Sequence, residues 1–218
     1  MDGNSSRQAK IVESESLLWG NAVGDAYHQA AQRDMDQHWT SIIEPVLQTL
    51  QPDFTHTADF ACGRGRNTQK LRAHSSRLTL IDVNAENIAY CKDRFSPDPQ
   101  VDYFICTGFG LTGLPDNTFS FYYSFDSMVH FDVELIAAYM PEFARVIRPG
   151  GTAFLHHSNY SDAPGRDFRS NPHWRNFMSA GLFAHLAERS GLRVLSQQPL
   201  AWGGMAAIDC ITTCRREA

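Results

Sequence analysis

A glycine-rich turn with an acidic residue before it and another after it is the part of this sequence best suited to bind a ligand. Residues 59–65 read Asp-Phe-Ala-Cys-Gly-Arg-Gly, and Asp82 ends the next apolar stretch. Gly63 and Gly65 lack a Cβ atom, which lets the backbone approach a ligand closely. The carboxylate of Asp82 could accept hydrogen bonds from both hydroxyls of a ribose. This combination predicts a site for a ligand that contains a nucleoside.

Histidines form a second group of residues that could do chemistry. His130 could act as a general base because the pKa of an imidazole lies near neutral pH, although core packing or helix capping explains it equally well. His156 and His157 are adjacent at the end of a predicted strand, so only one of them can face a ligand. We therefore expect no metal site from this pair. His157 could meet Asp126 instead, with ordinary loop hydrogen bonding as the alternative.

The periodicity of the apolar residues predicts the elements that position these groups. Residues 17–50 have helical spacing, and Pro45 kinks this helix or begins a second one. Strands and helices then alternate, which predicts an α/β fold with a mainly parallel sheet covered on both faces. The predicted strands are residues 56–61, 77–82, 101–106, 119–125, 152–156, 192–198 and 207–214. The predicted helices between them are residues 67–73, 85–95, 133–147 and 177–190.

The same pattern predicts how the chain is divided. We expect residues 1–50 to form an N-terminal helical lid and residues 51–218 to form one compact ligand-binding domain. The last two strands have no helix between them and should pair as an antiparallel hairpin. Residues 149–151, Pro-Gly-Gly, should turn the chain into the fifth strand. Ligands of open α/β sheets bind beyond the carboxyl ends of the strands, where Asp82 and His130 are both predicted to lie.

The residues after the turn distinguish between nucleoside ligands. A dinucleotide site has the pattern G-x-G-x-x-G, and its third glycine is absent here because Arg66, Asn67 and Thr68 follow Gly65. S-adenosylmethionine (SAM) has no phosphate and does not require that glycine. Asp59 could pair with the ammonium of SAM, and backbone N–H groups of the turn could bind its carboxylate. We therefore favour a protein that uses SAM. The alternatives are an NAD(P)-dependent oxidoreductase and a SAM-binding protein that has no activity of its own and serves as the partner of another enzyme.

The turn resembles the first motif of the class I SAM-dependent methyltransferases, D/E-x-G-x-G-x-G, with Ala61 in place of the first glycine. Asp82 resembles the ribose-binding acid of that family, and residues 114–119 and 145–151 resemble its segments before the fourth and fifth strands. The resemblance implies SAM as cofactor and a seven-stranded sheet of order 3-2-1-4-5-7-6 whose last strand is antiparallel. The cofactor-binding residues that it implies are Asp59, Ala61, Cys62, Gly63, Gly65, Asn67, Asp82, Val83, Gly108, Phe109 and Phe125.

The resemblance also implies where the methyl group is transferred. It places His130 near the transferred methyl, and the catalytic candidates are His130, His157 and Asp126. Histidines at the predicted mouth favour an oxygen acceptor over a nitrogen acceptor. Aromatic and arginine side chains suit a polar acceptor, anionic or sugar-like, although a solvated loop would contain the same residues. The acceptor-binding candidates are Tyr27, His28, His156, Tyr160, Arg166, Trp174 and Arg175.

Composition restricts the remaining choices. The formal net charge is −5 and there is no basic stripe, so we expect no nucleic-acid partner. No apolar run reaches the roughly 20 residues of a membrane span, and no secretory signal is apparent. The five cysteines are unevenly spaced, which favours free thiols in a cytoplasmic protein. We expect a methyltransferase for a small molecule, without a metal, whose oligomeric state the sequence leaves open.

Overall fold

Helices come first along the chain, and strands alternate with helices after them. The computed structural model describes residue 7 and residues 9–14, 19–20 and 22–217, with the backbone alone for residues 22–27. Residues 9–14 are helical, and they are followed by α1 (Ala22–Arg33), α2 (Met35–His38) and, after a π-helical turn, α3 (Glu44–Leu50). Pro45 lies in the first turn of α3, where its missing N–H is not needed. Their shared buried face consists of Met35, Trp39, Ile43, Val46 and Leu47.

The unit Met1–Gly108 contains the first three strands and the helices that connect them. Its elements are β1 (His56–Phe60), α4 (Thr68–His74), β2 (Arg77–Asp82), α5 (Ala85–Phe95) and β3 (Val101–Ile105). β2 pairs in parallel with both β1 and β3. Phe60 is in register with Ile81, so β1 ends beside the residue that precedes Asp82. The two predicted ligand-binding acids therefore lie at the same edge of this unit.

The unit Phe109–Ala218 contains the remaining strands. Its elements are β4 (Phe119–Ser124), α6 (Val133–Val146), β5 (Ile147–Ser158), α7 (Ala180–Arg189), β6 (Leu192–Trp202) and β7 (Met205–Arg216). β4 and β5 are parallel, whereas β7 is antiparallel to both β5 and β6. A buried aromatic layer fills the core of this unit, and the ring of Tyr123 stacks on that of Phe154 with centroids 5.1 Å apart.

The sheet has the predicted topology. Its strand order is β3-β2-β1-β4-β5-β7-β6, and β6 and β7 form an antiparallel hairpin. The α/β fold class implied by the resemblance is thereby confirmed. The proposed division into a lid and a domain at residue 50 stays a prediction.

The fifth strand begins earlier than the sequence suggested. We expected Pro149-Gly150-Gly151 to precede the strand, but β5 starts at Ile147 and includes these residues. Pairing with β4 shifts register there, because Phe119 pairs with Ile147 and Phe121 with Thr152. A Cβ on Gly151 would lie 2.9 Å from the carbonyl oxygen of Arg148 and 3.1 Å from that of Phe119. The glycine is therefore required by a strand irregularity.

The states of the cysteines and the lengths of the helices relate to two expectations from composition. The five cysteines have free thiols, and all except Cys62 are buried. None of the helices in the described ranges is long and apolar enough to cross a membrane.

Candidate functional site

The turn after β1 has an unusual backbone conformation. Ala61, Gly63 and Gly65 all have positive φ angles, of 52°, 54° and 71°. The Gly65 N–H donates to the Cys62 carbonyl at 3.0 Å, and the Cys62 N–H donates to the Ile81 carbonyl at 3.1 Å. A left-handed alanine costs about 1–2 kcal/mol, and such strain concentrates where proteins hold ligands. Replacement of the first motif glycine by Ala61 thus preserves the turn at an energetic cost.

Asp59 is buried beside this turn. Its carboxylate accepts a hydrogen bond of 2.7 Å from the Thr68 hydroxyl. Burial raises the pKa of Asp59 to about 7, although the Thr68 hydroxyl and the charge of Arg66 act to lower it. A positively charged ligand group next to this carboxylate would compensate for its desolvation. This position suits the role in ammonium binding that the sequence suggested.

Asp82 holds two pieces of backbone together. One carboxylate oxygen accepts from the Gly63 N–H at 2.8 Å, and the other accepts from the Asn84 N–H at 2.8 Å and from the Asn87 side-chain amide at 3.3 Å. Burial raises the pKa of Asp82, while these hydrogen bonds act to lower it. Asp82, which is predicted to bind a ribose, therefore also fixes the turn after β1 against the start of α5.

Two buried asparagines lie next to these acids. Asn67 immediately precedes α4 but does not cap it, and its side-chain oxygen has no hydrogen-bond partner among the described residues. The same is true of the side-chain oxygen of Asn87. A buried polar atom without a partner costs about 1–3 kcal/mol, which a ligand donor would remove. The sequence analysis predicted a role for Asn67 but not for Asn87. Asn87 could have been found as a polar residue on the buried face of α5.

Residues near the N-terminus pack on the same strand ends. A Cβ on Gly63 would lie 3.0 Å from the His28 ring, and His28 lies 3.3 Å from the Trp19 carbonyl oxygen. Gly20 packs against Asn84, and Val12 packs against Gly108. These contacts bring His28 to the turn. The side chain of Tyr27 lies outside the described residues.

The second unit contains a buried cluster of charged and polar groups. The Arg175 guanidinium forms two hydrogen bonds with Asp209, of 2.8 and 2.6 Å, and lies 3.8 Å from Asp126. His156 accepts from the Asp126 N–H at 3.0 Å, so its proton is on Nε2, which lies 3.3 Å from Asp209. Burial acts to raise the pKa of Asp209, but hydrogen bonds from His156 and Arg175 outweigh it and lower that pKa. Arg175 is thus paired with a carboxylate of the protein.

His130 is buried on a short 3-10 turn, Met128–His130. Its Nδ1 lies 2.7 Å from the Trp174 carbonyl oxygen, which can only accept, so Nδ1 carries the proton. Burial and then the charge of Arg175 lower the pKa of His130 to about 4. The imidazole is therefore neutral at pH 7 with its lone pair on Nε2. This form can accept a proton, but its lowered pKa makes it a weaker base than an exposed histidine.

His157 lies in the core of the second unit and not beside Asp126, which the sequence analysis considered as its partner. Its Nδ1 lies 2.8 Å from the Ser158 carbonyl oxygen, its Nε2 lies 2.7 Å from the Thr212 hydroxyl, and its ring stacks on Phe183 at 3.6 Å. Burial lowers the pKa of His157 to about 3. Both nitrogens are used within the core, and the histidine that meets Asp126 is His156. The geometry therefore favours a structural role for His157.

The other predicted site residues differ in exposure. Phe125 is buried, and its ring stacks on His156 with centroids 4.7 Å apart. Arg166 is exposed. The half-buried candidates are Cys62, Val83, Phe109, Tyr160 and Trp174, whereas Gly108 is buried. No group of three or more histidine, cysteine, aspartate or glutamate side chains within the described ranges could hold a metal ion.

Comparison with known proteins supports the interpretation of the turn. Residues 58–151 match the family model "Methyltransferase domain". This stretch, which is similar to that family, contains Asp59, Gly63, Gly65 and Asp82. A search of curated protein sequences gives no match.

Solved structures with the same fold extend over most of the chain. A chain of the Haloferax volcanii complex between the Trm112 methyltransferase activator and a methyltransferase has a TM-score of 0.67 at 15% identity, and the match covers 89% of this chain and 96% of that one. A SAM-dependent methyltransferase from Mesorhizobium loti has a TM-score of 0.65 at 17% identity, with 79% and 96% covered. At these identities the comparison establishes the methyltransferase fold.

A third structure shows a ligand set. Geranyl diphosphate C-methyltransferase from Streptomyces coelicolor has a TM-score of 0.60 at 15% identity, with 76% of this chain and 70% of that chain covered. It was solved with S-adenosylhomocysteine, a substrate analogue and Mg²⁺. The expected cofactor, SAM, agrees with the names of two of these structures, one SAM-dependent and one bound to S-adenosylhomocysteine.

Proposed function

We propose that this chain is a SAM-dependent methyltransferase that acts on a hydroxyl group of a small molecule. The observation that carries the proposal is the pair of buried acids, Asp59 and Asp82, on either side of a left-handed turn. A buried carboxylate with a raised pKa suits an ammonium, and a carboxylate at the end of β2 suits a ribose. The structural relative from Streptomyces coelicolor, a geranyl diphosphate C-methyltransferase, supports a small-molecule acceptor, whereas the choice of a hydroxyl group rests on His130.

The residues of the first unit fit SAM. Asp59 would bind the ammonium, backbone N–H groups of the turn would bind the carboxylate, and Asp82 would accept from the ribose. The side-chain oxygens of Asn67 and Asn87, which have no partner in the described part of the chain, would gain donors. Bound SAM supplies an electrophilic methyl group on a sulfonium. These residues position it, and alignment of the acceptor with the methyl can account for a large part of the rate.

His130 would accept the proton of the acceptor hydroxyl. Its Nδ1 proton is directed at the Trp174 carbonyl, which places the basic lone pair on Nε2. With its pKa lowered to about 4, the imidazole is unprotonated at neutral pH. Asp126 remains a proposed catalytic residue. We no longer propose a catalytic role for His157, because both of its nitrogens have partners in the core.

The pairing of Arg169 and Arg175 with carboxylates favours an uncharged acceptor. Arg175 is bound to Asp209, and Arg169 is bound to Asp167 at 2.6 Å. A guanidinium that already binds a carboxylate has less to offer an anionic ligand. A neutral hydroxylated molecule, such as the sugar-like alternative of the sequence analysis, fits this arrangement better than the anionic alternative.

Calorimetric titration and a methyl-transfer assay test the proposed function. We expect SAM and S-adenosylhomocysteine to bind and NAD to give no heat. In assays with acceptor pairs that differ only in hydroxyl against amine, the hydroxyl members should release S-adenosylhomocysteine faster. Binding of NAD without SAM would contradict the cofactor assignment, and faster turnover of the amine members would contradict the acceptor assignment.

The raised pKa of Asp59 predicts how SAM affinity depends on pH. Below about pH 7 the Asp59 carboxyl of the free protein is protonated and cannot pair with an ammonium. The affinity for SAM should therefore decrease as the pH is lowered, and the decrease should approach tenfold per pH unit well below pH 7. Asp59→Asn should bind SAM more weakly at pH 8 and should lose most of this dependence. Calorimetry between pH 5.5 and 8 measures both effects.

A matched control for Asp59→Asn is Asp102→Asn, which removes a half-exposed carboxylate of the same unit that pairs with Arg77. This variant should keep the pH dependence of the wild type. The charges nearest Asp59 are Arg66 and Asp82, and they are unchanged in both variants. An equal pH dependence in wild type and Asp59→Asn would show that Asp59 does not bind the ammonium.

A further inference from the structure

One loop fixes the position of His130. The Trp174 carbonyl accepts from His130 Nδ1 at 2.7 Å, the Asn176 side chain donates to the His130 carbonyl at 3.1 Å, and the Asn176 N–H donates to the Val129 carbonyl at 2.9 Å. All of these bonds come from residues 171–176, which we term the clamp loop. The clamp loop therefore determines the orientation of the imidazole and of its backbone.

The clamp loop has a conformation that needs support. His173 and Trp174 are consecutive non-glycine residues with φ angles of 49° and 55°. Each left-handed residue of this kind costs about 1–2 kcal/mol, so the surrounding structure must stabilise the loop. Without that support the Trp174 carbonyl would be free to turn away from His130.

Arg175 provides the support from inside the loop. Its guanidinium forms the two hydrogen bonds with Asp209 and a third, of 3.0 Å, with the His173 carbonyl. Its own carbonyl accepts from the Asn171 side chain at 2.9 Å. Arg175 thus connects strand β7 to both ends of the strained segment.

We propose that the buried Arg175–Asp209 pair is a positioning device for His130 and not an acceptor-binding group. The pair fixes the clamp loop, the loop directs the Trp174 carbonyl at Nδ1, and this contact selects the tautomer whose lone pair is on Nε2. The catalytic consequence rests on the proposed function, whereas the tautomer does not depend on it.

Replacing both members of the pair can separate a positioning role from a stabilising role. Replacing a buried ion pair by apolar residues of similar volume is often neutral or stabilising, because burial of the charges is itself costly. The change of both residues is therefore suited to a test that preserves the fold. A methionine at position 175 could still pack on Trp202, whose ring lies 5.2 Å from the Arg175 guanidinium.

The test compares Arg175→Met/Asp209→Leu with a control pair. The control is Arg193→Met/Glu217→Leu, which removes an exposed ion pair of the same unit. Long-range ¹H–¹⁵N NMR spectra report the His130 tautomer, with His130→Gln used to assign its signals. Turnover and SAM affinity are measured on the same samples, and thermal unfolding confirms that each variant is folded.

We expect the buried-pair variant to show a mixture of His130 tautomers and a turnover about tenfold to a hundredfold lower, with SAM affinity unchanged. The control pair should match the wild type in all three measurements. Arg175→Lys keeps the charge without the two-pronged geometry and should lie between the two. A folded buried-pair variant that retains the wild-type tautomer would overturn the proposal.

The two proposals fail separately in this design. If the tautomer changes in the buried-pair variant but the wild type transfers no methyl group to any acceptor, the positioning role stands and the proposed function fails. If the wild type is active and the tautomer changes while turnover stays the same, His130 is positioned but its position does not limit the reaction, which overturns the catalytic part of the proposal.

Discussion

Replacing Asp82 with alanine is expected to weaken SAM binding at least about a hundredfold. Hydrogen bonds to a charged group contribute about 1.5–3 kcal/mol each, and two ribose hydroxyls would be lost together. The substitution also removes the acceptor of the Gly63 N–H, which holds the left-handed turn in place. Both effects reduce affinity, and calorimetry with SAM and with S-adenosylhomocysteine measures their sum.

A second substitution separates the two contributions of Asp82. Asp82→Asn keeps an oxygen that can accept from the turn but has lost the charge and one acceptor, so it should weaken binding less than alanine does. Thermal unfolding shows whether either variant has lost its fold. An affinity within about threefold of the wild type in a folded Asp82→Ala protein would exclude Asp82 as a ribose ligand.

Replacing His130 with alanine is expected to lower turnover about a hundredfold to ten-thousandfold while SAM affinity stays near that of the wild type. General base catalysis typically contributes this much to a rate. The expectation rests on the neutral imidazole with its lone pair on Nε2, which the contact between Nδ1 and the Trp174 carbonyl selects. Steady-state release of S-adenosylhomocysteine measures the rate once an acceptor is known.

The matched control for His130 is His185→Ala, which removes an exposed histidine on α7 and should leave turnover unchanged. His130→Gln removes the basic nitrogen but keeps a polar side chain, and it should be as slow as the alanine variant if proton transfer is the role. Wild-type turnover in His130→Ala would contradict that role, and recovery of most of the activity in His130→Gln would point to hydrogen bonding instead.

Local pattern was sufficient to predict most of the fold. The helix over residues 85–95 was predicted with its observed bounds, because its apolar spacing and the prolines after it are features of neighbouring residues. The start of β5 was misplaced, because Gly150 and Gly151 were interpreted as a turn. Their irregular pairing with Phe119 is a contact between separate strands, which spacing along the chain does not reveal.

The arrangement of the residues proposed to bind the cofactor was largely predictable for the same reason. Asp59, Gly63 and Gly65 belong to one continuous turn, and Asp82 ends the strand that pairs with β1. Asn87 was missed because its importance lies in its contact with Asp82 and in an oxygen for which the described residues supply no partner.

The sequence by itself determined the first strand, the glycine turn after it and the acid that ends the second strand of an α/β sheet, because these features are encoded by neighbouring residues. Only the tertiary structure decided which histidine can take up a proton and what Arg175 binds. Ser158 is in register with Asp209 across β5 and β7, and this pairing brings Arg175, His156 and Asp209 together. Side chains brought together by strand register are distant in sequence, so their partners depend on the fold as a whole.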